Sequence, residues 1–275
     1  MRRTFTSRSV AACLLATSLA FATVACGSSD DDKSEGSGSG ITELADLAGK
    51  RIGVQTDTTG KDYAEANKPD GAEVVAFDDT VGLFGALESG DVDAILQDFP
   101  VNAYRTIEDQ SVQVVETYET DESYGFAVKK GSPLKAELDG ALADLREDGS
   151  YDDLFAKYFP TDGKPGPGLD ASDVEGSRTL AVCSDIPYPP MEMEGEGPRG
   201  LQYTGFDIEL LDAMAAAIDA KLEIKPVGFD GILGNLESGE CDVVASSVTI
   251  TDERAKEVDF TEPYFDADQS LLVKK

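Results

Sequence analysis

The 275-residue chain contains no histidine, so Ser-His-Asp catalysis, Cys-His catalysis and imidazole-ligated metals are all excluded. The groups left to do chemistry are carboxylates, hydroxyls, guanidiniums and four thiols, Cys13, Cys26, Cys183 and Cys241. Taken singly, the most suggestive of them have ordinary explanations. Arg254 follows Asp252-Glu253 and suits a surface ion pair. Asp98 precedes Phe99-Pro100 and suits a helix N-cap. Phe229 suits a core. The formal charge of −31 excludes a nucleic-acid partner, because too few cations are present to neutralise a phosphate backbone. No metal site or other cofactor is expected, and the aspartates at 30–32 lack EF-hand spacing. At 41% hydrophobic, the chain is apolar enough to bury real cores.

Residues 1–25 have the form of an export signal. Arg2, Arg3 and Arg8 precede an apolar, small-residue stretch from Val10 to Val24. Thr23-Val24-Ala25-Cys26 then resembles a bacterial lipobox, which makes Cys26 the expected lipidation site. Segment 27–40 has no apolar residue and is expected to be a flexible tether. The expected location is extracytoplasmic, with membrane contact through the lipid alone. Cys183 and Cys241 would share an oxidising compartment, which invites a disulfide. The expected strands, however, place them too far apart to bridge.

The chain half-repeats itself. Gly82-Leu-Phe-Gly-Ala-Leu-Glu-Ser-Gly-Asp-Val-Asp93 aligns with Gly231-Ile-Leu-Gly-Asn-Leu-Glu-Ser-Gly-Glu-Cys-Asp242 with seven identities in twelve positions, too many for chance. Each copy predicts a short helix, a glycine stop and a strand. Strands over Arg51–Asp57 and Thr179–Asp185 precede the copies. Strands over Tyr124–Lys130 and Ser270–Lys275 follow them. Two related α/β units, each a mostly parallel sheet flanked by helices, are therefore expected, with ligand groups at the C-terminal strand ends. Between them, Leu134, Leu138, Ala141, Leu142 and Leu145 form an apolar helical stripe, and a second short helix starts near Ser150. A Gly/Pro/Asp linker covers 161–177.

Several stretches together resemble the family-3 bacterial extracellular solute-binding proteins, the amino-acid receptors of ABC importers. They are Val54 to Tyr63, Asp185 to Glu192, Gly205-Phe206-Asp207, Phe229-Asp230, Ser246 to Arg254 and Asp259 to Tyr264. The resemblance covers nearly all of 41–275 and implies a type II periplasmic-binding-protein fold of two lobes. The order differs from the family's, in which the unit beginning near Leu180 comes first, so the chain resembles a circular permutation. The implied division is signal peptide 1–25, tether 26–40, lobe two 41–124, crossover strand and helices 125–160, linker 161–177, and lobe one 178–275 ending in an opened hinge strand.

The resemblance also implies the chemistry. Arg254 would fork onto an amino acid's carboxylate, aided by Ser247 and Thr249, with Thr58 and Thr59 on the opposite lobe. Asp98 would take the ammonium. Tyr188 and Phe229 would wall the side chain, and an aromatic face favours a cation. Asp185, Ser246, Gln55, Asp57 and Gln97 would line the far end. An acidic end repels acidic ligands and points to a basic or polar one. The expected protein is a monomeric receptor, not an enzyme, that closes over a free L-amino acid and delivers it to an ABC permease. The alternatives are a cyclohexadienyl dehydratase-like enzyme, with Glu192 as a general acid, and a sensing lipoprotein without a transporter.

Overall fold

The computed structural model describes residues 39–161, 163–170 and 174–275. The expected export signal, Cys26 and nearly all of the tether lie outside them. The strands are β1 (Arg51–Gln55), β2 (Glu73–Phe77), β3 (Ala94–Asp98), β4 (Val112–Tyr124), β5 (Ala127–Lys129) and β6 (Arg178–Ser184). They continue with β7 (Met193–Glu194), β8 (Tyr203–Thr204), β9 (Ala220–Pro226), β10 (Val243–Val244), β11 (Val258–Phe260) and β12 (Phe265–Lys274). The α-helices are α1 (Thr59–Asn67), α2 (Thr80–Ser89), α3 (Phe99–Glu108), α4 (Leu134–Glu147), α5 (Ser150–Tyr158), α6 (Phe206–Ala217), α7 (Gly234–Ser238) and α8 (Arg254–Glu257).

Two five-stranded sheets form the two lobes, ordered β2-β1-β3-β12-β4 and β11-β5-β10-β6-β9. In the first, β2, β1 and β3 are parallel, and β12 runs antiparallel to both β3 and β4. In the second, β10, β6 and β9 are parallel and β5 is antiparallel to β10 and β11. The sheets are thus mixed, each with a parallel half.

The repeat has a structural cause. Asp79 caps α2 by accepting from the Gly82 N–H at 2.7 Å, and both copies stop at a left-handed glycine, Gly90 (φ 84°) and Gly239 (φ 76°). The aspartate ending each copy then docks the next strand. Asp93 accepts from the Arg51 N–H at 2.8 Å, and Asp242 accepts from the Ala181 N–H at 2.9 Å. The same twelve residues therefore join helix to parallel strand in both lobes.

Helices α4 and α5 bury Leu138, Ala141, Leu142 and Leu154 against Leu180, Val182, Leu210 and Met214 of the second lobe. The first lobe splits its core between the two faces of its sheet. Ile41, Ile52, Leu271 and Val273 lie on one face, and Leu83, Ile95 and Leu272 on the other.

Two expectations are corrected. The final strand does not belong to the lobe formed by 178 onwards. Leu271, Leu272 and Val273 are buried on both faces of the first sheet, between β3 and β4, so the chain re-crosses at 261–264, before β12 begins. Residues 125–126 make the other crossing. Cys183 and Cys241 are bonded, not separated. Cys241 lies before β10 and its Cα comes within 5.8 Å of that of Cys183, inside the range a disulfide spans.

Candidate functional site

The cavity residues sit at, or a few residues beyond, the C-terminal ends of the parallel strands. β1 ends at Gln55, and the turn after it delivers Thr58 and Thr59 to the start of α1. Thr58 caps that helix by accepting from the Lys61 N–H at 3.1 Å. β3 ends at Asp98, and β6 leads into Asp185 and Tyr188. Phe229 follows β9. Ser246, Ser247 and Thr249 follow β10, and Arg254 opens α8. Gln55, Thr58, Thr59, Asp98, Asp185, Tyr188, Phe229, Ser246, Ser247, Thr249 and Arg254 together line one narrow cavity between the lobes. Gln97 is buried beside it but does not line it, and its amide has no hydrogen-bond partner among the described residues. Residues of a strand alternate in direction, so Gln97 and Asp98 cannot both face the cleft.

Arg254 is a half-buried cation. It donates to the Thr249 carbonyl at 3.0 Å and, across the cleft, to the Asp57 carbonyl at 2.8 Å. Its guanidinium carbon lies 5.5 Å from the Phe229 ring centroid. Among the described residues no carboxylate forms a salt bridge with it. Burial lowers its pKa, while the charges of Asp57, Asp98 and Glu122 act in the opposite direction.

Asp98 accepts three hydrogen bonds: from the Tyr124 hydroxyl at 2.5 Å, the Tyr188 hydroxyl at 2.8 Å and the Gln269 amide at 2.6 Å. Burial nevertheless raises its pKa, with the three donors pulling it down and the charge of Glu122 adding to the rise. At the far end Asp185 accepts from the Gln55 amide at 2.6 Å, and its own N–H donates to Ser246 Oγ at 3.0 Å. Burial pushes the Asp185 pKa up to about 6.

Two supporting groups, Glu122 and Gln269, lie outside every motif quoted above. Glu122 accepts from Thr59 at 2.6 Å and from Thr249 of the other lobe at 2.9 Å. It precedes Tyr124 by two residues on β4, so period two puts both on one face. Gln269 sits directly opposite Asp98 in the β12–β3 register. Glu192 is fully buried and hydrogen-bonds Ser247, but it does not line the cavity, which removes it from the position a general acid needs.

The two lobes touch through these side chains. Gln55 to Asp185, Tyr188 to Asp98, Arg254 to Asp57 and Thr249 to Glu122 all cross the cleft, so this arrangement is a closed one. Among the described residues no cluster suited to a metal ion occurs, and no helix is long and apolar enough to cross a membrane.

The chain is 36% identical over 113 residues to a protein of Neisseria gonorrhoeae named "Probable histidine-binding protein", covering 40% of this chain and 41% of that one. It is 38% identical over 102 residues to the L-cystine-binding protein TcyJ of Escherichia coli K12, covering 37% of each. It therefore spans about two fifths of the length of these curated relatives. An ancestral arginine-binding protein bound to arginine is 46% identical over 32% of this chain and 37% of that one, with a TM-score of 0.29. An arginine-bound Gly52Ala mutant of ArgBP from T. maritima is 14% identical over 82% of this chain and 87% of that one, with a TM-score of 0.44. The family model described as bacterial extracellular solute-binding proteins, family 3, matches residues 49–161 and 180–275, and with most of its length matched the chain belongs to that family.

Proposed function

We propose that this chain is an extracytoplasmic receptor that binds one free L-amino acid in the interlobe cavity and delivers it to an ABC permease. The observation that carries the reading is the pairing of Arg254 and Asp98. A guanidinium with no carboxylate partner among the described residues and a carboxylate held by three donors, from opposite lobes, line the same cavity. A zwitterion needs that pair of charges. The Thr58 and Thr59 end of α1 adds backbone N–H donors on the carboxylate side. Tyr188 and Phe229 wall the side chain.

Once Arg254 and Asp98 have taken the backbone charges, Asp185 is left over. A ligand carrying a side-chain cation fits this balance best, so arginine, lysine, ornithine or histidine is favoured, and glutamine follows because an amide can donate to Asp185. Relatives named for histidine and cystine support an amino-acid ligand. Bonds that cross the cleft support closure of the lobes over it. The receptor is proposed to act as a monomer held at the membrane by lipid on Cys26, a reading that rests on the Thr23-Val24-Ala25-Cys26 pattern.

The lobe order is proposed to be a circular permutation. Ile41 and Val273 share one core cluster, and Ser39, Ile41, Lys274 and Lys275 line one small cavity, so the start and end of the folded unit are neighbours. Calorimetric titration of unfolded-and-refolded protein with the twenty L-amino acids and ornithine tests the receptor reading. Micromolar or tighter binding of one basic or polar member is expected. Silence across the panel refutes the receptor reading, and glutamate binding more tightly than arginine or glutamine refutes the basic or polar specificity.

A further inference from the structure

Two carboxyl groups lie behind the cavity wall with no cation to balance them. Glu192, on the loop that presents Tyr188, and Asp207, in the first turn of α6, are both fully buried. Neither forms a salt bridge among the described residues. Both are tied to Ser247. The Ser247 N–H donates to Asp207 Oδ2 at 2.9 Å, and its hydroxyl donates to Glu192 Oε1 at 3.1 Å. Asp207 Oδ2 also accepts from the Tyr264 hydroxyl at 2.6 Å. Asp207 Oδ1, in contrast, is buried without a donor.

Ser247 itself is in an unusual state. Its φ is +47°, a left-handed conformation that non-glycine residues avoid unless their surroundings impose it. It also lines the cavity. Its two anchors are the two buried carboxyls, so the pair dictates which way a cavity residue faces.

We infer that Glu192 carries a proton, donates it to Asp207 Oδ1, and that this carboxyl–carboxylate pair is the positioning device that holds Ser247 in its ligand-facing turn. Two facing carboxylates in a dry interior would repel each other, and one shared proton removes that repulsion. The same proton supplies the donor that Oδ1 lacks, leaving Asp207 ionised to receive the Ser247 N–H and the Tyr264 hydroxyl. Burial and the charge of Asp207 both raise the pKa of Glu192, in keeping with this assignment. The titratable groups facing the pair are Tyr188 and Asp185 from the loop after β6 and Tyr264 from the second crossing. None is a cation, so none offers a substitute for the proton. The role in ligand binding rests on the amino-acid reading above, whereas the shared proton and the Ser247 turn do not.

The test uses the full chain, its E192Q and E192A variants, and L-arginine as the probe. Glutamine at 192 keeps a neutral donor towards Asp207 and an acceptor for Ser247, whereas alanine removes both. Infrared spectra of ligand-free wild type at pH 7 are expected to show the C=O stretch of a buried protonated carboxyl, absent in E192Q. Amide exchange at Ser247, read by hydrogen-exchange mass spectrometry, is expected to stay slow in E192Q and to quicken in E192A. Arginine affinity is expected within about threefold of wild type in E192Q and about tenfold or more weaker in E192A, the size of a lost buried hydrogen bond to a charged group. At alkaline pH, wild-type affinity should fall more steeply than that of E192Q, because both lose the ligand's ammonium and only the wild type also loses the Glu192 proton along with the infrared band. The inference is overturned if the band is missing at pH 7, or if E192Q frees the Ser247 amide as much as E192A does. Should E192A fail to fold, the band and the exchange in E192Q decide. Should no amino acid bind wild type, the receptor reading falls, and the band and the exchange still decide this inference.

Discussion

Acidifying the protein from pH 7 to pH 5 should weaken a basic ligand about tenfold while hardly changing a neutral one. The cause is Asp185, whose pKa burial lifts from an ordinary 3.8 to about 6. A cationic side chain at that end of the cavity needs the ionised form. The apparent dissociation constant then grows by 1 + 10^(6 − pH), which is about 11 at pH 5, 2 at pH 6 and 1.1 at pH 7. The ratio corresponds to roughly 1.4 kcal/mol. The fold responds in the opposite direction. An acid whose pKa is raised by folding contributes stability that is present below its unfolded value near 3.8 and lost as pH rises through about 6. At pH 7 the ligand-free protein therefore holds an unfavourable buried charge that a bound cation relieves. Titration calorimetry with L-arginine and L-glutamine at pH 5, 6 and 7, on wild type and Asp185→Asn, measures this. The variant should bind arginine at pH 7 about as weakly as wild type does at pH 5, and its profile should lack the tenfold change that Asp185 contributes. An Asp185→Asn profile as steep as wild type, or an equal pH response for glutamine, would show that the titrating group is not Asp185.

Arg254→Lys should weaken arginine and glutamine alike by at least about tenfold, because a point charge cannot keep the Thr249 and Asp57 carbonyls and also fork onto a carboxylate; calorimetry reads it, and an unchanged affinity refutes the carboxylate role. Gly205→Ala should cost more than about 2 kcal/mol in urea unfolding, since φ is +116° and a Cβ would stand 2.2 Å from the Met191 carbonyl oxygen, whereas a near-normal midpoint would show that this turn yields. Reducing the Cys183–Cys241 bond, which closes a separation of 58 residues, should lower stability by about 4 kcal/mol on the loop-entropy model. An unfolding midpoint unmoved by reductant would contradict the bond.

What could be read in advance follows strand ends, and what could not follows strand pairing. A parallel strand that turns into a helix announces itself locally, through an apolar run, a polar terminal residue and a cap. Arg51–Gln55 with Thr58 and Ala94–Asp98 with Phe99-Pro100 were legible for that reason, and so were the glycine stops of the repeat. The antiparallel halves gave no such signal. β4 is thirteen residues of which Glu116, Glu119, Asp121 and Glu122 are acidic, so its composition reads as a solvated segment although its register puts Tyr124 and Glu122 at the cleft. The apolar end of β12 reads as a strand, yet which sheet it joins depends on long-range pairing with β3 and β4. The disulfide was missed on the same ground, because Cys241 lies in the approach to β10, whose path no local pattern specifies.

The division has a physical consequence for the site. Groups proposed to touch the ligand sit at strand ends, where local sequence places them. Groups that tune them sit across a register. Gln269 reaches Asp98 only because β12 pairs with β3 at that residue, and Tyr124 reaches it from the last residue of β4, opposite Phe265 of β12. A one-residue slip of β12 would turn Gln269 to the other face of the sheet and leave Asp98 with two hydroxyl donors. Burial would then raise its pKa with less to oppose it, and the carboxylate proposed to hold the ammonium would more readily take a proton instead. The pairing of the last strand thus supplies one of the three donors that oppose burial at the proposed ammonium site.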